Sequence, residues 1–285
     1  AIPALARAAQ RAGVAVIEEC AVRTLDVTNG KITGIVTEKG RVKCSLAVLA
    51  AGAWSTHFAH NAGIDLPQLA VRCTVARTEV APRLFPGSSP IPNIQSPGLS
   101  VRRRVDGGYT LATGTCAEHY LSSRSFKYFT KFLNALRIVK PHIRLRLGAP
   151  KGYPGAWRSE RRWGEDEESP FERMRVLHPE PNAREVTELE ARVHARFPAL
   201  SGIRLEEAWA GMIDVTPDVV PTLGETAEIN GLHICTGLSG HGFGIGPGVG
   251  RVMADVVTGR NPGHELTRFR PERFFDGSPI VPGPY

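Results

Sequence analysis

No stretch of this 285-residue chain reaches the roughly 18 consecutive apolar residues that a membrane-spanning helix needs. A helical span is thereby excluded, and the chain reads as a soluble protein. Residues 1–11 already look like a helix of the fold rather than a signal peptide. Cysteine is scarce and scattered: five residues (Cys20, Cys44, Cys73, Cys116, Cys235), odd in number, with no CxxC and no Cys/His spacing. That excludes a disulfide framework and a zinc site, so reduced thiols, no metal and a cytoplasmic location are expected. Long charge runs are missing too. The net charge is +7 and the pI about 9.4, yet the densest basic runs, 102–104 and 158–162, are short, and acidic residues 165–168 follow the second. Without aromatic residues interleaved among the basic ones, this is a solvated surface and not a nucleic-acid site. Internal repeats and low-complexity tracts are also lacking.

Glycine is what the chain has in one place. Seven glycines fall within residues 237–250: Gly237, Gly240, Gly242, Gly244, Gly246, Gly248 and Gly250. A strand-like segment, 232–236, precedes them and an apolar, helix-patterned stretch, 249–257, follows. Glycine lets a backbone approach a ligand and adopt dihedrals that a Cβ forbids. The amides opening the helix favour electron-rich oxygens. A flat or anionic ligand against this loop is one reading; a tight turn with close helix–sheet packing accounts for two or three of the glycines.

Elsewhere the order is α/β, then a mainly antiparallel insert, then α/β again (α+β overall). A helix over 3–12 stops at Gly13, and a strand is expected at 14–18. Asn29-Gly30 joins strands at 22–27 and 31–36, with a third near 41–44. The apolar run 46–50 predicts a strand buried on both faces of a parallel sheet, ending in Ala51-Gly52-Ala53-Trp54, where open α/β sheets bind ligands. Strands at 71–79, 99–105 and 109–113, a helix over 125–139, an irregular excursion over 148–181 and a helix opening at Asn182 fill the middle. Short β segments are expected from 206.

Three stretches together carry a resemblance. Residues 48–55 read V-L-A-A-G-A-W-S, residues 209–218 read W-A-G-M-I-D-V-T-P-D, and residues 237–248 hold S-G-H-G-F. In this order and spacing the chain resembles the flavin-dependent D-amino-acid oxidase, glycine oxidase and sarcosine oxidase family, from about residue 2 to 273. The resemblance implies an FAD-binding Rossmann-like domain (1–64 and 206–285) interrupted by an antiparallel-sheet substrate domain (65–205). It implies FAD-dependent oxidation of the C–N bond of an amine or amino acid, of D-amino-acid, glycine/sarcosine-like or opine-like type, by hydride transfer to flavin N5, giving an imine.

By the same resemblance, flavin contacts fall on Val22, Ala51, Gly52 and Trp54, and on Met212, Leu238, Ser239, Gly240, His241, Gly242, Phe243 and Gly244. The positions tied to the reaction itself are His241, beside the ring, and Ile213, where amino-acid-oxidising members place a carboxylate-binding arginine. Sarcosine-type members place a lysine after H-G-F; here it is Gly244. Arg102, Arg103 and Arg104 are alternative anion sources, or simply a surface face. Gly211 stands where some relatives bond a cysteine to flavin, so the FAD is expected to be non-covalent. Trp54 and Trp209 read as core aromatics rather than ring stackers, and Thr216-Pro217-Asp218 reads equally as a turn capped by Asp218.

The family's opening strand, G-x-G-x-x-G turn and helix, which hold the FAD pyrophosphate, do not stand at the start of this sequence. An N-terminally truncated chain lacking that dinucleotide-binding unit is therefore expected, inactive and weakly FAD-binding alone. The other reading is a cofactor-free subunit or fragment serving as a binding or assembly module. Expected partners are a small-molecule amine or amino acid, with a homo- or hetero-oligomer compatible; no nucleic acid and no membrane span are expected.

Overall fold

The computed structural model describes residues 2–84, 93–96, 99–139, 143–157, 159 and 162–283. It contains three sheets. The first is the antiparallel meander β1 (Val22–Thr28), β2 (Lys31–Thr37) and β3 (Gly40–Lys43). The second orders β11 (Thr222–Glu225), β12 (Leu232–Thr236) and β4 (Ala47–Leu49). The third orders β10 (Leu205–Val215), β5 (Leu69–Thr78), β8 (Tyr109–Tyr120), β7 (Leu99–Arg103) and β6 (Asn93–Ser96), with β9 (Ile143–Arg146) beside β8.

The Asn29-Gly30 hairpin forms as its sequence requires, with φ of 52° and 73° at the two turn residues. β4 pairs in parallel with β12, Ala47 opposite Leu232 and Leu49 opposite Ile234. Chain segments nearly two hundred residues apart thus share one sheet. Its core joins Ile32, Leu232 and Ile234 to Phe58, on helix α2 (Ser55–Asn61), and to Leu66. Burial of β4 on both faces is corrected, because Val48 is 42% exposed and β12 is the strand's one neighbour among the described residues. The strand expected at 14–18 does not form either. Val14, Val16 and Ile17 are exposed, and an extended segment without a ladder partner gains nothing from its backbone groups. Helix α1 (Ile2–Arg11) forms and Gly13 closes it at φ +91°, but it buries no residue.

In the third sheet, Ala76, Val101 and Leu111 pack on one face against Leu189 and Val193 of helix α6 (Ala183–Arg196). Asn182 caps that helix, its side-chain oxygen accepting from the amides of Arg184 and Glu185. The single helix expected over 125–139 is two: α3 (Ser123–Lys127) and α4 (Leu133–Val139). Between them Tyr128 turns inward, its hydroxyl donating to Asp65, and packs with Phe132 and Ala135 against Leu69 and Val215. Phe129, expected on the same apolar face, is exposed. The excursion at 148–181 is irregular apart from the short helix α5 (Pro170–Arg173), and Arg158 and Arg161 lie outside the described residues. From 205 the eleven-residue β10 comes first, and the short segments expected there follow it as β11 and β12. The last helix, α7, runs Gly242–Val257, so the second half of the glycine run is helical rather than loop. Cys20, Cys44, Cys73 and Cys235 are free thiols; the side chain of Cys116 lies outside the described residues. No helix among the described residues is long and apolar enough to cross a membrane, and no metal-binding cluster occurs among them.

His119 gives the fold a pH dependence. Burial lowers its pKa from the ordinary 6.5, against a smaller opposing effect from its bond to the Ala70 carbonyl. The unfolded chain therefore binds more protons just below pH 6.5, and stability falls as pH falls through that window. His60, lowered by burial and by Arg124, adds in the same direction. Unfolding free energies from urea titrations between pH 7.5 and 5.5 should decline by at most about 1.4 kcal/mol per pH unit for each histidine. His119→Gln should flatten the decline; an unchanged slope would show that the titration belongs elsewhere.

Candidate functional site

The glycine run divides into two parts that do different things. A Cβ at Gly237 (φ +73°) would lie 2.4 Å from Thr216 Cγ2, so this glycine is required by close packing against the T-P-D turn. Gly240 (φ +87°) sits over Ile213, and a Cβ on Gly242 would meet Leu238 Cδ1 at 3.0 Å. At Gly244, Gly246, Gly248 and Gly250 a Cβ would project into open space. Neither packing nor left-handed backbone asks for glycine there. The opening amides of α7, at Gly242 and Phe243, have no carbonyl one turn back to bond. His241 is the N-cap residue; its amide donates to the Leu238 carbonyl and its side chain makes no capping hydrogen bond. Phe243 is 76% exposed.

A buried polar hub holds this turn against the end of β4. Asp214 Oδ2 accepts from Gln68 Nε2 (2.9 Å), Thr236 Oγ1 (3.1 Å) and the Gly237 amide (2.7 Å). Gln68 also donates to the carbonyl of Gly52 at 3.0 Å, and Thr236 Oγ1 lies 3.3 Å from the same carbonyl. The Gly52–Trp54 3₁₀ turn, where Gly52 takes φ +54°, is thus tied to the glycine turn through Gln68, Asp214 of β10 and Thr236 at the end of β12. Sequence reasoning missed Gln68, Asp214 and Thr236. The available signal was an aspartate interrupting the apolar pattern just before T-P-D.

The expected residues fall into two groups. Val22, Ala51 and Trp54 line an apolar trench of about 610 Å³ along the free side of β4, and Gly52 adjoins them. Leu238–Gly244 form the glycine turn and the start of α7, with Ile213 beneath Gly240. Met212 projects to the other side of β10, into a small cavity shared with Ala53 and Tyr120. Trp54, half-buried, packs edge-on against Phe171 at 5.4 Å in an aromatic cluster with His57 and Trp163.

Asp218 does more than cap its turn. It accepts Nε and Nη2 of Arg273 at 2.8 and 3.0 Å, both side chains 5% exposed, and also the Val220 amide. The basic run at 102–104 is structural where it is partnered: Arg103 donates to the Ala81 carbonyl and stacks over Tyr109, and Arg104 pairs with Asp106. A second buried carboxylate, Glu118, was not anticipated. Burial raises its pKa, but hydrogen bonds from Arg72 and Arg146 prevail and hold it below the usual range.

The profile of the family described as DAO, FAD dependent oxidoreductase, matches residues 1–256. Among curated proteins, the chain is 25% identical over 273 residues to 4-methylaminobutanoate oxidase (formaldehyde-forming) of Paenarthrobacter nicotinovorans, covering 95% of this chain and 27% of that protein. It is 24% identical over 271 residues to D-amino acid dehydrogenase of Bradyrhizobium diazoefficiens, covering 95% and 50%. Among solved structures, L-amino acid deaminase from Proteus myxofaciens in complex with anthranilate superposes with a TM-score of 0.86 at 33% identity, covering 95% of this chain and 59% of that one. The chain thus spans from about a quarter to three fifths of the length of these relatives.

Proposed function

The chain belongs to the DAO family of FAD-dependent oxidoreductases, and from that premise we propose that it forms the flavin-ring and substrate side of an enzyme oxidising the C–N bond of an amine or amino acid. The observation that carries the reading is the open glycine cradle at the head of α7, held by the Asp214 hub against the end of β4. When bound, FAD supplies the hydride acceptor. The exposed backbone at Gly240, His241 and Gly244 fits a flat ring edge, and at Gly244 a side chain would fill the open space such a ring needs. The leading amides of α7 stabilise negative charge developing at that edge on reduction. Val22, Ala51, Gly52 and Trp54, along the trench, are assigned to the remainder of the cofactor.

In this reading residues 1–64 and 206–285 serve the cofactor and 65–205 the substrate. Ile213 offers no charge for a carboxylate. Orientation of the reacting C–H carries much of the rate, since a neutral amine needs little acid–base assistance. The names of the similar proteins, an oxidase of 4-methylaminobutanoate, a dehydrogenase of D-amino acids and a deaminase of L-amino acids, support an amine or amino-acid substrate and differ in which one. Gly211 stands where some relatives bond a cysteine to flavin, and the FAD is assigned as non-covalent on that ground. The visible spectrum of the purified full-length protein tests the proposal. A flavin spectrum, released by denaturation and bleached anaerobically by members of an amine and amino-acid panel, is expected. A full-length protein that neither carries nor takes up FAD would overturn it.

A further inference from the structure

The glycine turn continues directly into an uncharged stretch of the long sheet. Strand register sets Ile213, Gly211 and Trp209 of β10 beside Val71, Cys73 and Val75 of β5, with Ala117 and Ala112 of β8 next in line. Side-chain alternation places these residues on one face. It is the face opposite Ala76, Val101 and Leu111, which are buried against α6. Ile213 abuts the turn, its Cδ1 3.6 Å from where a Cβ on Gly240 would stand. Cys73, Val75, Ala112, Ala117 and Trp209 are half-buried and Gly211 is exposed. The histidine in these rows, His119, is engaged by the Ala70 carbonyl and Ser125 Oγ, both at 2.9 Å.

Among the described residues of the sheet, charge returns to this face at Arg77, Glu207 and Arg102. Arg77 is four residues from Cys73, roughly 13 Å along the strand, and its Nε pairs with Glu207 at 3.0 Å. A substrate carbon within reach of the flavin would stand over Ile213 and Gly211, with any carboxylate on that carbon only a few ångströms away. The described part of this face holds no cation near enough to meet it.

Gly211 itself is informative. Its φ is not in the left-handed region, and a Cβ there would meet nothing within 4 Å. Neither backbone nor packing requires glycine, so what its missing side chain does is keep the floor low. We propose that this face receives an uncharged, apolar body of the substrate, and that Gly211 determines how large that body is. The proposal rests on the oxidoreductase reading above and adds the substrate class: neutral amines or amino acids recognised through an apolar group rather than through a carboxylate or a second charge.

The test uses the full-length, FAD-loaded protein. For a series of linear primary monoamines, kcat/KM should rise about fourfold per added methylene until the floor is filled. Diamines of equal length, with a terminal ammonium over the same floor, should fall at least tenfold below the monoamines. A binding arm needs no turnover: calorimetric titration with 2-phenylethanol, which has an apolar body and no amine. Gly211→Leu should weaken that binding at least tenfold and Gly211→Ala much less, with both proteins melting near the parent because the added atoms enter open space.

Diamines matching monoamines, or 2-phenylethanol binding unchanged by Gly211→Leu, would overturn the proposal. Should Gly211→Leu fail to fold, the diamine comparison on the parent protein decides. If no amine or amino acid is oxidised yet 2-phenylethanol binds and is lost in the leucine variant, the apolar floor stands and the oxidoreductase reading falls. Turnover of the panel with binding indifferent to position 211 would do the reverse: the oxidoreductase reading stands and the apolar floor falls.

Discussion

Replacing Gly244 with valine is expected to leave the full-length protein folded and without flavin. A Cβ at this position meets no protein atom within 4 Å, and its φ is not left-handed, so the fold itself does not ask for glycine. Inside a helix, valine is if anything slightly better than glycine, by a few tenths of a kcal/mol. The branched side chain would instead occupy the space in front of α7. A cofactor displaced there loses its bonds to the leading amides, at about 1.5–3 kcal/mol for each charge-assisted one. Two such losses weaken binding roughly a hundredfold or more, since about 1.4 kcal/mol is tenfold. Gly242 is a poorer probe, because its Cβ would press on Leu238 at 3.0 Å, and Gly259 is a poor control, because its φ of +69° strains any replacement. Ala254→Val, at an exposed position of the same helix, serves as the control. Flavin content and melting temperature measured together decide: wild-type flavin in a folded Gly244→Val protein would reduce the cradle to a packing device.

How much of this was legible in the sequence depends on the reach of the interaction that fixes each part. Local chemistry was readable: the Asn29-Gly30 hairpin, the Gly13 helix stop and the Asn182 cap depend on neighbours within a few residues. The strands at 46–50 and 232–236 were readable from their short apolar runs, but their parallel pairing, across nearly two hundred residues, was not. What failed depends on partners remote in sequence. The segment at 14–18 has strand composition, yet composition supplies no neighbouring ladder. The helix over 125–139 has the right periodicity, but Asp65 draws Tyr128 out of it. The glycine run was readable as a backbone surface, though not as two surfaces, because only Thr216 and Leu238 show which glycines are crowded. The hub was legible only in part, through Asp214 interrupting the apolar pattern before T-P-D. Asp214, Gln68 and Thr236 come from three separate stretches of chain, and nothing in their own surroundings announces that they meet.

The T-P-D turn shows the same remote dependence and carries the largest expected effect on stability. Arg273→Met should destabilise the folded chain by about 3–5 kcal/mol, because it leaves the Asp218 carboxylate buried and uncompensated. That is a large share of the roughly 5–15 kcal/mol a domain has in total. The guanidinium donates to both Asp218 oxygens and to the Val220 and Phe269 carbonyls, and both side chains of the pair are buried. Asp218→Asn combined with Arg273→Met should recover a substantial part of the loss, since it removes the stranded charge along with its partner. The consequence reaches the glycine cradle. Two residues before Asp218, Thr216 donates to the Val220 carbonyl and packs its methyl against Gly237. Slackening the turn should therefore lower flavin content in whatever fraction of Arg273→Met remains folded. Urea denaturation of the parent and both variants measures the first effect, and a lowered midpoint with unchanged slope marks a true stability change. A single-variant loss below about 1 kcal/mol, the usual worth of an exposed pair, would mean that solvent reaches Asp218 and that the tail at 267–274 is not what fixes the turn.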